Sequence, residues 1–544
     1  KNTVNNHVAA YVKGSELVAE TGDITIAAKE ISDINAHAIA ASFSASISIG
    51  VSLAGSGAEA TNIIESVVEA YADNGTLFAR EGDINLLAMN EAEITSLVGA
   101  AAASAGAAAG AMGASVASNL IGVNSENDTS LFGNRTLAFV KDSTVTTPEG
   151  NVSINAHANE WIDAVAFAGA AALGAGGAAA VAGVDLVNII SSDVQAYADN
   201  SKVTSVGNVT IKALSESDIK KAEAYGAAAA VSASIGLAAS ASKVTNKINN
   251  RVKAYIDNGS AGRVVLQGSL LVKAHADTDI SDAKAYNAAL SLAPISGAIT
   301  GVDINNTVAN EVESYIKNGG VLVGADVDVI ALEEATIDSE VAALAVALGG
   351  GFGAALVDNT ISSSVSALTE NTVISASNIN IDAQAIDKVN KTKVIGVAAG
   401  LVGATGNKST VLMTTTVNAE SNASTLEATG TVTIYALGNN YARADAGGGA
   451  AGAVAIGAMI ADITLGRSGV VEVVAQLGDD SVVSAGTLNV NAEGKDDLLS
   501  TSIAAGGGLV AGLGSQSDVT SRQAVEANVG RGIDVKVDAF VLGS

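Results

Sequence analysis

Short segments in which apolar and polar side chains alternate recur along this chain of 544 residues. In the segment GDITIAA, which begins at residue 22, Ile24, Ile26 and Ala28 lie two residues apart. A period of two predicts a half-buried β-strand. Eight similar segments begin at residues 82, 150, 207, 268, 325, 377, 430 and 486. Nine copies of one strand pattern indicate a repeat protein.

A second segment, of the type V-x-A-Y-x-x-N, precedes each of the first seven copies and supplies an anchor residue. The anchors are Tyr11, Tyr71, Phe139, Tyr197, Tyr255 and Tyr315, followed by Leu368, where the aromatic ring is lost. Three residues beyond them stand Gly14, Asn74, Asp142, Asn200, Asn258, Asn318 and Asn371, all residue types that favour turns. The two segments therefore predict a strand, a turn and a second strand, with the tyrosines as candidates for stacking between repeats.

A third kind of segment, nearly free of charge and rich in Ala and Gly, separates one unit from the next, as in AFAGAAALGAGGAAAVAGVDLV from residue 166. Alanine favours a helix, but the many glycines oppose one. The longest copies have the length of a membrane span. A pair of strands buried on both faces also predicts continuous small apolar residues, and we favour this third interpretation.

An asparagine recurs nine residues before most anchors. The set comprises Asn2, Asn62, Asn188, Asn246, Asn306 and Asn359, and Ser130 departs from it. Asparagines stacked along a solenoid axis can bond to one another through their amides and form a ladder. A turn residue that merely recurs would give the same pattern, so both interpretations stay open at this point.

These patterns together predict an all-β protein, a parallel β-solenoid of nine to ten Gly/Ala-rich repeats of about 52–68 residues. We expect one continuous array over 1–544. Its approximate units are 1–61, 62–129, 130–187, 188–245, 246–305, 306–358, 359–410, 411–464, 465–520 and 521–544. If each repeat is one large coil, the rod is roughly 45–50 Å long, and if each repeat is three small coils it is about 130 Å long. We favour the single coil.

Charge and composition narrow the functional classes. With 28 basic and 56 acidic residues the net charge is −28, which opposes binding to nucleic acid and to anionic membranes. The chain has no cysteine, so disulfides and thiolate metal sites are excluded. We expect no transmembrane segment. Because the sequence opens inside a repeat and shows no signal peptide, we take it as a segment of a longer protein.

The individual motifs predict no catalytic, cofactor-binding or metal-binding residues. His157 and His275 share a repeat position that elsewhere holds unrelated residues, which indicates a solvent-facing site. The spacing of Gly447, Gly449 and Gly452 fits a dinucleotide fingerprint, but it falls in an Ala/Gly segment. The acidic pairs, Glu91 with Glu93 and Asp277 with Asp279, alternate outward along strands. Asp and Asn oxygens at the turns leave weak surface binding of Ca²⁺ open, and Trp161 alone makes no aromatic sugar platform.

The pattern V-x-A-Y-I-x-N-G, then G-x-V-x-I-x-A, then Ala/Gly-rich strands, resembles the long repeat regions of bacterial filamentous adhesins. The similarity is to the leukotoxin-type and filamentous-haemagglutinin-like repeats and covers about residues 1–540. This resemblance implies a very large secreted or surface-attached protein, located outside the cell or on the outer surface of a bacterium. The family includes adhesins and a cell-killing toxin, and no active-site residue is carried over.

The leading hypothesis is a non-enzymatic extracellular structural or adhesive protein, a rod-like segment of a bacterial fibre or giant surface adhesin. We expect its partners to be copies of itself, end to end or lateral in a filament, and the surface of a host or neighbouring cell. The alternative is the passenger of a secreted leukotoxin-like cytotoxin that acts on host cell membranes. A repeat-scaffold enzyme would need carboxylates and basic residues clustered on one face, whereas the charges are evenly scattered.

Overall fold

The computed structural model describes residues 1–46, 50–126, 132–259, 262–468, 470 and 472–544. These residues form 32 β-strands and no helix, and all strands join one sheet through parallel pairings. The predicted all-β parallel solenoid is therefore confirmed. Among the described residues none forms a helix with the length and hydrophobicity that crossing a membrane requires.

The strands follow one another with only short connections. In chain order they are β1 (Asn2–Lys13), β2 (Glu16–Ala19), β3 (Ile24–Ala45), β4 (Val51–Asp73), β5 (Thr76–Ala79), β6 (Ile84–Ile121), β7 (Asn134–Lys141), β8 (Thr144–Thr147), β9 (Val152–Ile190), β10 (Ser192–Asp199), β11 (Lys202–Ser205), β12 (Val209–Ser232), β13 (Ile235–Ile248), β14 (Arg251–Asp257), β15 (Arg263–Leu266) and β16 (Leu270–Leu292). The second half continues with β17 (Ile295–Val308), β18 (Glu311–Val323), β19 (Val327–Ala347), β20 (Gly350–Ile361), β21 (Ser364–Ala376), β22 (Ile379–Ala399), β23 (Val402–Met413), β24 (Thr416–Asn422), β25 (Thr425–Ala428), β26 (Thr431–Ala451), β27 (Val454–Leu465), β28 (Val473–Leu477), β29 (Val482–Gly507), β30 (Val510–Ser521), β31 (Val525–Val529) and β32 (Asp534–Gly543).

Each repeat is one large coil. Asn2 pairs with Asn62 and Tyr11 with Tyr71, so every residue lies beside its equivalent in the next repeat. Three small coils per repeat would have paired residues within a repeat. At a strand spacing of about 4.8 Å, nine complete coils form a rod about 45 Å long. We call residues that share a register position a row.

The register also fixes where each coil begins. Coils 1 to 10 start at Asn2, Asn62, Asn119, Asn188, Asn246, Asn306, Asn359, Val411, Ile463 and Val519, and the tenth is partial. The third coil thus starts at 119 rather than at the predicted 130, because additional residues after Ile121 lengthen the connection to β7. The ninth and tenth coils start two residues before the predicted boundaries.

A coil has two parts with different cores. In coil 5 the strand β14, the short β15 and the first half of β16 enclose Val, Ile and Leu side chains, and we call this part the body. The second half of β16 lies against β17, and the side chains between them are mostly Ala. We call this second part the fin. In coils 1 to 9 it comprises 38–46 with 50–57, 97–116, 164–184, 224–242, 285–302, 341–357, 394–407, 446–461 and 502–517.

The fin is thin because its inward side chains are small. In coil 3, Ala164, Ala166 and Ala168 are buried, as are Ala180 and Ala182 of the returning half of β9. Methyl groups fill little distance, so the two strand layers must approach closely to remain packed. The Ala/Gly segments are therefore strand pairs, and the helical alternative is wrong.

The prediction that these strands are buried on both faces is wrong on one face. Burial alternates along the fin, and outward residues such as Leu173, Val181 and Phe352 are exposed over 56%, 43% and 45% of their surface. Inward and outward positions are both mostly apolar, so the sequence shows no alternation of apolar and polar residues that would reveal the exposed face.

The turn after each anchor uses the left-handed backbone region. Positive φ occurs at Gly14, Asn74, Asp142, Asn200, Asn318 and Asn371, with values between 44° and 56°. In coil 5 the positive φ lies at Gly259, one residue after the predicted Asn258. Asn, Asp and Gly tolerate this conformation at lower cost than other residues.

Candidate functional site

An asparagine ladder runs through the first seven coils. Each side-chain amide N–H₂ donates to the Oδ1 of the next asparagine, over distances of 2.7 to 2.9 Å. The members are Asn2, Asn62, Asn119, Asn188, Asn246, Asn306 and Asn359, and all except Asn2 are buried. The amide of Asn359 donates to the hydroxyls of Ser339 and Thr392, and the row continues with Val411. The ladder thus satisfies polar groups inside the coil.

Asn119 was missed by the sequence analysis. Counting back nine residues from Phe139 leads to Ser130, which lies outside the described residues. Asn119 occupies the row because it pairs with Asn62 and Asn188. The tetrapeptide SNLI around Asn119 resembles TNII around Asn62 and VNII around Asn188, and this local similarity was the signal that could have identified it.

An aromatic ladder follows the outside of the body. The rings of Tyr11, Tyr71, Phe139, Tyr197, Tyr255 and Tyr315 stack with centroids 4.7 to 5.1 Å apart and interplanar angles of 0° to 12°. Leu368 takes the next place beside Tyr315. Partial burial raises the pKa of Tyr197 and Tyr315, so their phenols stay neutral at physiological pH. The ladder is a structural feature and contains no reactive group.

Buried acids form polar rows inside the body that the sequence analysis did not identify. Glu160 accepts hydrogen bonds from Asn134 and Ser192, Glu333 accepts from Ser363 at 2.5 Å, and Asp387 accepts from Thr415 at 2.5 Å. The alternation of inward and outward residues along the strand could have identified such acids. Glu30, for example, lies two residues after the inward Ala28 and is itself buried.

Burial controls the charge of these acids. It raises the pKa of Glu160 and of Glu333, and it raises the pKa of Asp387 to about 7. Glu333 and Asp387 lie in adjacent coils, and the negative charge of Asp387 raises the pKa of Glu333 further. These groups are enclosed by the coil and not open to a cleft, so we assign them to the core.

The other residues that the sequence singled out lie on the surface of strands. His157 contacts Glu216 at 2.8 Å and His275 contacts Glu334 at 3.2 Å, each across neighbouring coils. Glu93 and Asp279 are half-buried on the outward side. Gly447 and Gly449 lie on the outward side of the fin. No group of three or more His, Asp or Glu side chains that could hold a metal ion occurs among the described residues.

The surface of the body is charged. Lys253 of coil 5 lies 2.8 Å from both Glu311 and Glu313 of coil 6, and Lys317 lies 3.0 Å from Glu370 of coil 7. These ion pairs follow the rod axis between coils. Each is partly exposed, so each contributes no more than about 1 kcal/mol.

The surface of the fin carries no charge. None of the nine fin segments contains Asp, Glu, Lys or Arg, although the chain as a whole has 84 charged residues, 28 basic and 56 acidic. On the face of the fin that the outgoing strands form, such as the second half of β16, a groove of about 680 Å³ runs across the coils and is lined by Ala101, Gly169, Ala227 and Ala288, among others. An apolar surface of this extent is typical of a contact site. The fin is therefore the candidate functional surface of the molecule.

Comparisons with known proteins identify no relative. The chain matches no protein-family model, and no curated protein and no solved structure is significantly similar to it.

Proposed function

We propose that this chain is a rod-like segment of a non-enzymatic extracellular structural or adhesive protein, of the kind that forms a bacterial fibre or a giant surface adhesin. The observation that carries the proposal is the register, which continues from coil to coil through the whole described chain. A strand ladder of this kind extends as a rod, because each coil is bonded to its neighbours along the axis.

Self-association by coil stacking extends this proposal. The strand β30 pairs with β27 of the preceding coil, and its Val510 N–H donates to the carbonyl of Ala453. Because N–H groups alternate in direction along a strand, the N–H of Leu513 points away from β27. An edge of this kind pairs readily with a further coil, whether the same chain continues or a second copy stacks on it.

Electron microscopy of the purified chain tests the proposal. We expect rods about 45 Å long at low concentration and multiples of that length at high concentration. Leu513→Pro removes the outward N–H and should shorten the distribution to single rods, whereas Leu513→Val keeps the N–H and should leave stacking intact. Particles without an axial repeat, or rods of a single length at all concentrations, contradict the proposal.

A passenger of a membrane-acting cytotoxin is the second candidate, and the uncharged fin is the observation that favours it. Backbone groups at the tip of the fin bond from coil to coil, as where the N–H of Gly400 donates to the carbonyl of Ala451. Groups satisfied in this way can enter an apolar medium. Leakage of dye from neutral phosphatidylcholine vesicles would favour this candidate over the structural one.

A further inference from the structure

One outward row of the fin contains only glycine and alanine in nine consecutive coils. It lies on the face of the fin that the returning strands form, such as β17, and we call this the return-strand face. The row comprises Gly57, Ala114, Gly183, Ala241, Gly301, Ala354, Gly406, Ala458 and Gly514. We call it the groove row. Two residues closer to the fin tip lies the ridge row, which consists of Gly55, Met112, Val181, Ala239, Ile299, Phe352, Ala404, Ile456 and Gly512.

Contacts within one copy of the chain do not require the side chains of the groove row to be small. A Cβ atom added at Gly183, Gly301 or Gly406 would have no heavy atom within 4 Å, and none of the three has a positive φ. Within one copy a larger side chain would therefore fit, and β-branched residues would suit the strand better than glycine. A limit on size that has no internal cause indicates contact with something outside the chain.

The ridge row beside it is exposed and apolar. Met112, Ile299 and Ile456 are exposed over 58%, 57% and 55% of their surface. Both rows lie within the uncharged fin, and the next row toward the body, with Asp185, Lys243 and Asp303, lies at the margin. The apolar row on the tip side of the ridge row and this charged row, which forms a polar rim, flank the two contact rows. Together the four rows cover roughly 900 Å² across nine coils, against about 800 Å² per partner in a stable protein interface.

We propose that two copies of this chain pair side by side through the return-strand faces of their fins, with the rods parallel and the ridge row of each copy in the groove row of the other. A two-fold axis that runs along the rods, midway between the two rows, exchanges ridge and groove. The contact is thus self-complementary. Both copies have the same spacing between coils, so the fit repeats along the rod.

A bilayer is a poorer occupant than a second copy. Lipid chains set no upper limit on side-chain size, whereas closely packed backbones require small residues. This pairing involves the side of the rod and not its ends, so it goes beyond coil stacking and does not depend on it.

Sedimentation velocity over a concentration series tests the pairing, with every protein carrying Leu513→Pro so that end-to-end stacking cannot contribute. The test variant combines Gly183→Val, Gly301→Val and Gly406→Val. We expect the parent to dimerise and the triple variant to dimerise at least tenfold more weakly, with an unchanged or higher Tm. Gly320→Val is the matched control, because this glycine lies on the body, its Cβ would also meet nothing within 4 Å, and Val373 fills the same row in the next coil.

The added valines distinguish shape complementarity from non-specific hydrophobic association. They make the face more hydrophobic, so a merely adhesive surface would associate more strongly, and that result would overturn the proposal. A monomeric parent, or loss of dimerisation in Gly320→Val and not in the triple variant, would also overturn it. Binding of a monomeric parent to neutral phosphatidylcholine vesicles would assign the face to lipid instead.

Discussion

The body and the fin share one backbone ladder, but they differ in what fills and covers it. The body encloses Ile, Val and Leu side chains and exposes charged residues, whereas the fin encloses Ala and exposes apolar residues. Burial of large side chains gives the body most of its hydrophobic stabilisation, while Ala methyl groups give the fin little. The fin is therefore held mainly by hydrogen bonds between coils, and its outer surface is apolar and uncharged.

Removal of a large side chain from the body should have the largest effect. Ile211 is buried in the body core. We expect Ile211→Ala to lower the free energy of unfolding by about 3 kcal/mol because it leaves a cavity. Urea unfolding followed by circular dichroism measures the change. The neighbouring outward Thr210→Ala serves as the control, and equal losses in both variants would remove the distinction between core and surface.

Loss of one asparagine from the ladder should have the next largest effect on stability. Asn246→Ala leaves the amide of Asn188 and the Oδ1 of Asn306 without their ladder partners, and both are buried. We expect a loss of roughly 2 kcal/mol, since unmet buried polar groups are costly. Hydrogen exchange should show faster opening in coils 4 to 6. Asn305→Ala, at an outward position of the neighbouring strand β17, should cost less than about 0.5 kcal/mol.

A larger inward side chain should destabilise the fin, although the body accommodates large side chains in its core. Ala224 is buried between the two thin layers of the fin. We expect Ala224→Leu to destabilise the protein by about 2 kcal/mol through overpacking. Ala227→Leu, on the outward side, should be nearly neutral because Leu344 occupies the same row two coils further on. Thermal unfolding of both variants checks this, and a neutral Ala224→Leu would show that the fin is not closely packed.

Ionisation of Asp387 should make the stability of the body depend on pH. Burial raises the pKa of Asp387 to about 7 from 3.8 in an unfolded chain. The folded state therefore binds the proton more tightly, and stability falls as pH rises between about 4 and 7. Asp387→Asn mimics the protonated acid, and Asn440 already fills the same row in the next coil.

The measurement is the difference in unfolding free energy between Asp387→Asn and the parent, at pH 5.5 and at pH 8. We expect the advantage of the variant to grow by about 1 to 2 kcal/mol at the higher pH. Taking the difference cancels the effect of the overall acidic charge. Glu370→Gln, at an exposed acid, is the control. An advantage that does not change with pH would mean that Asp387 is already ionised in the folded state at pH 5.5.

Much of the coil could be predicted because its residues repeat. The spacing from Tyr11 to Tyr71 and the alternation at Ile24 and Ile26 are local patterns, and they predicted parallel stacked strands. Additional residues before Phe139 lengthen the spacing of nine residues between the ladder position and the anchor. Asn119 was therefore missed, and Ser130 was assigned to its position. The buried acids were missed because a carboxylate is ordinarily expected at the surface. Their positions become apparent only when the alternation of inward and outward residues is counted along the strand.

The sequence by itself determined the repeat, the strands, the turns and the absence of any cysteine chemistry, because each of these depends on residues close together in the chain. Only the tertiary structure decided that one repeat is one coil and that the Ala/Gly strands are open to solvent on their outer face. Both depend on which distant strands lie opposite each other. The sequence of the fin does not show this, because both faces of its strands are mostly apolar.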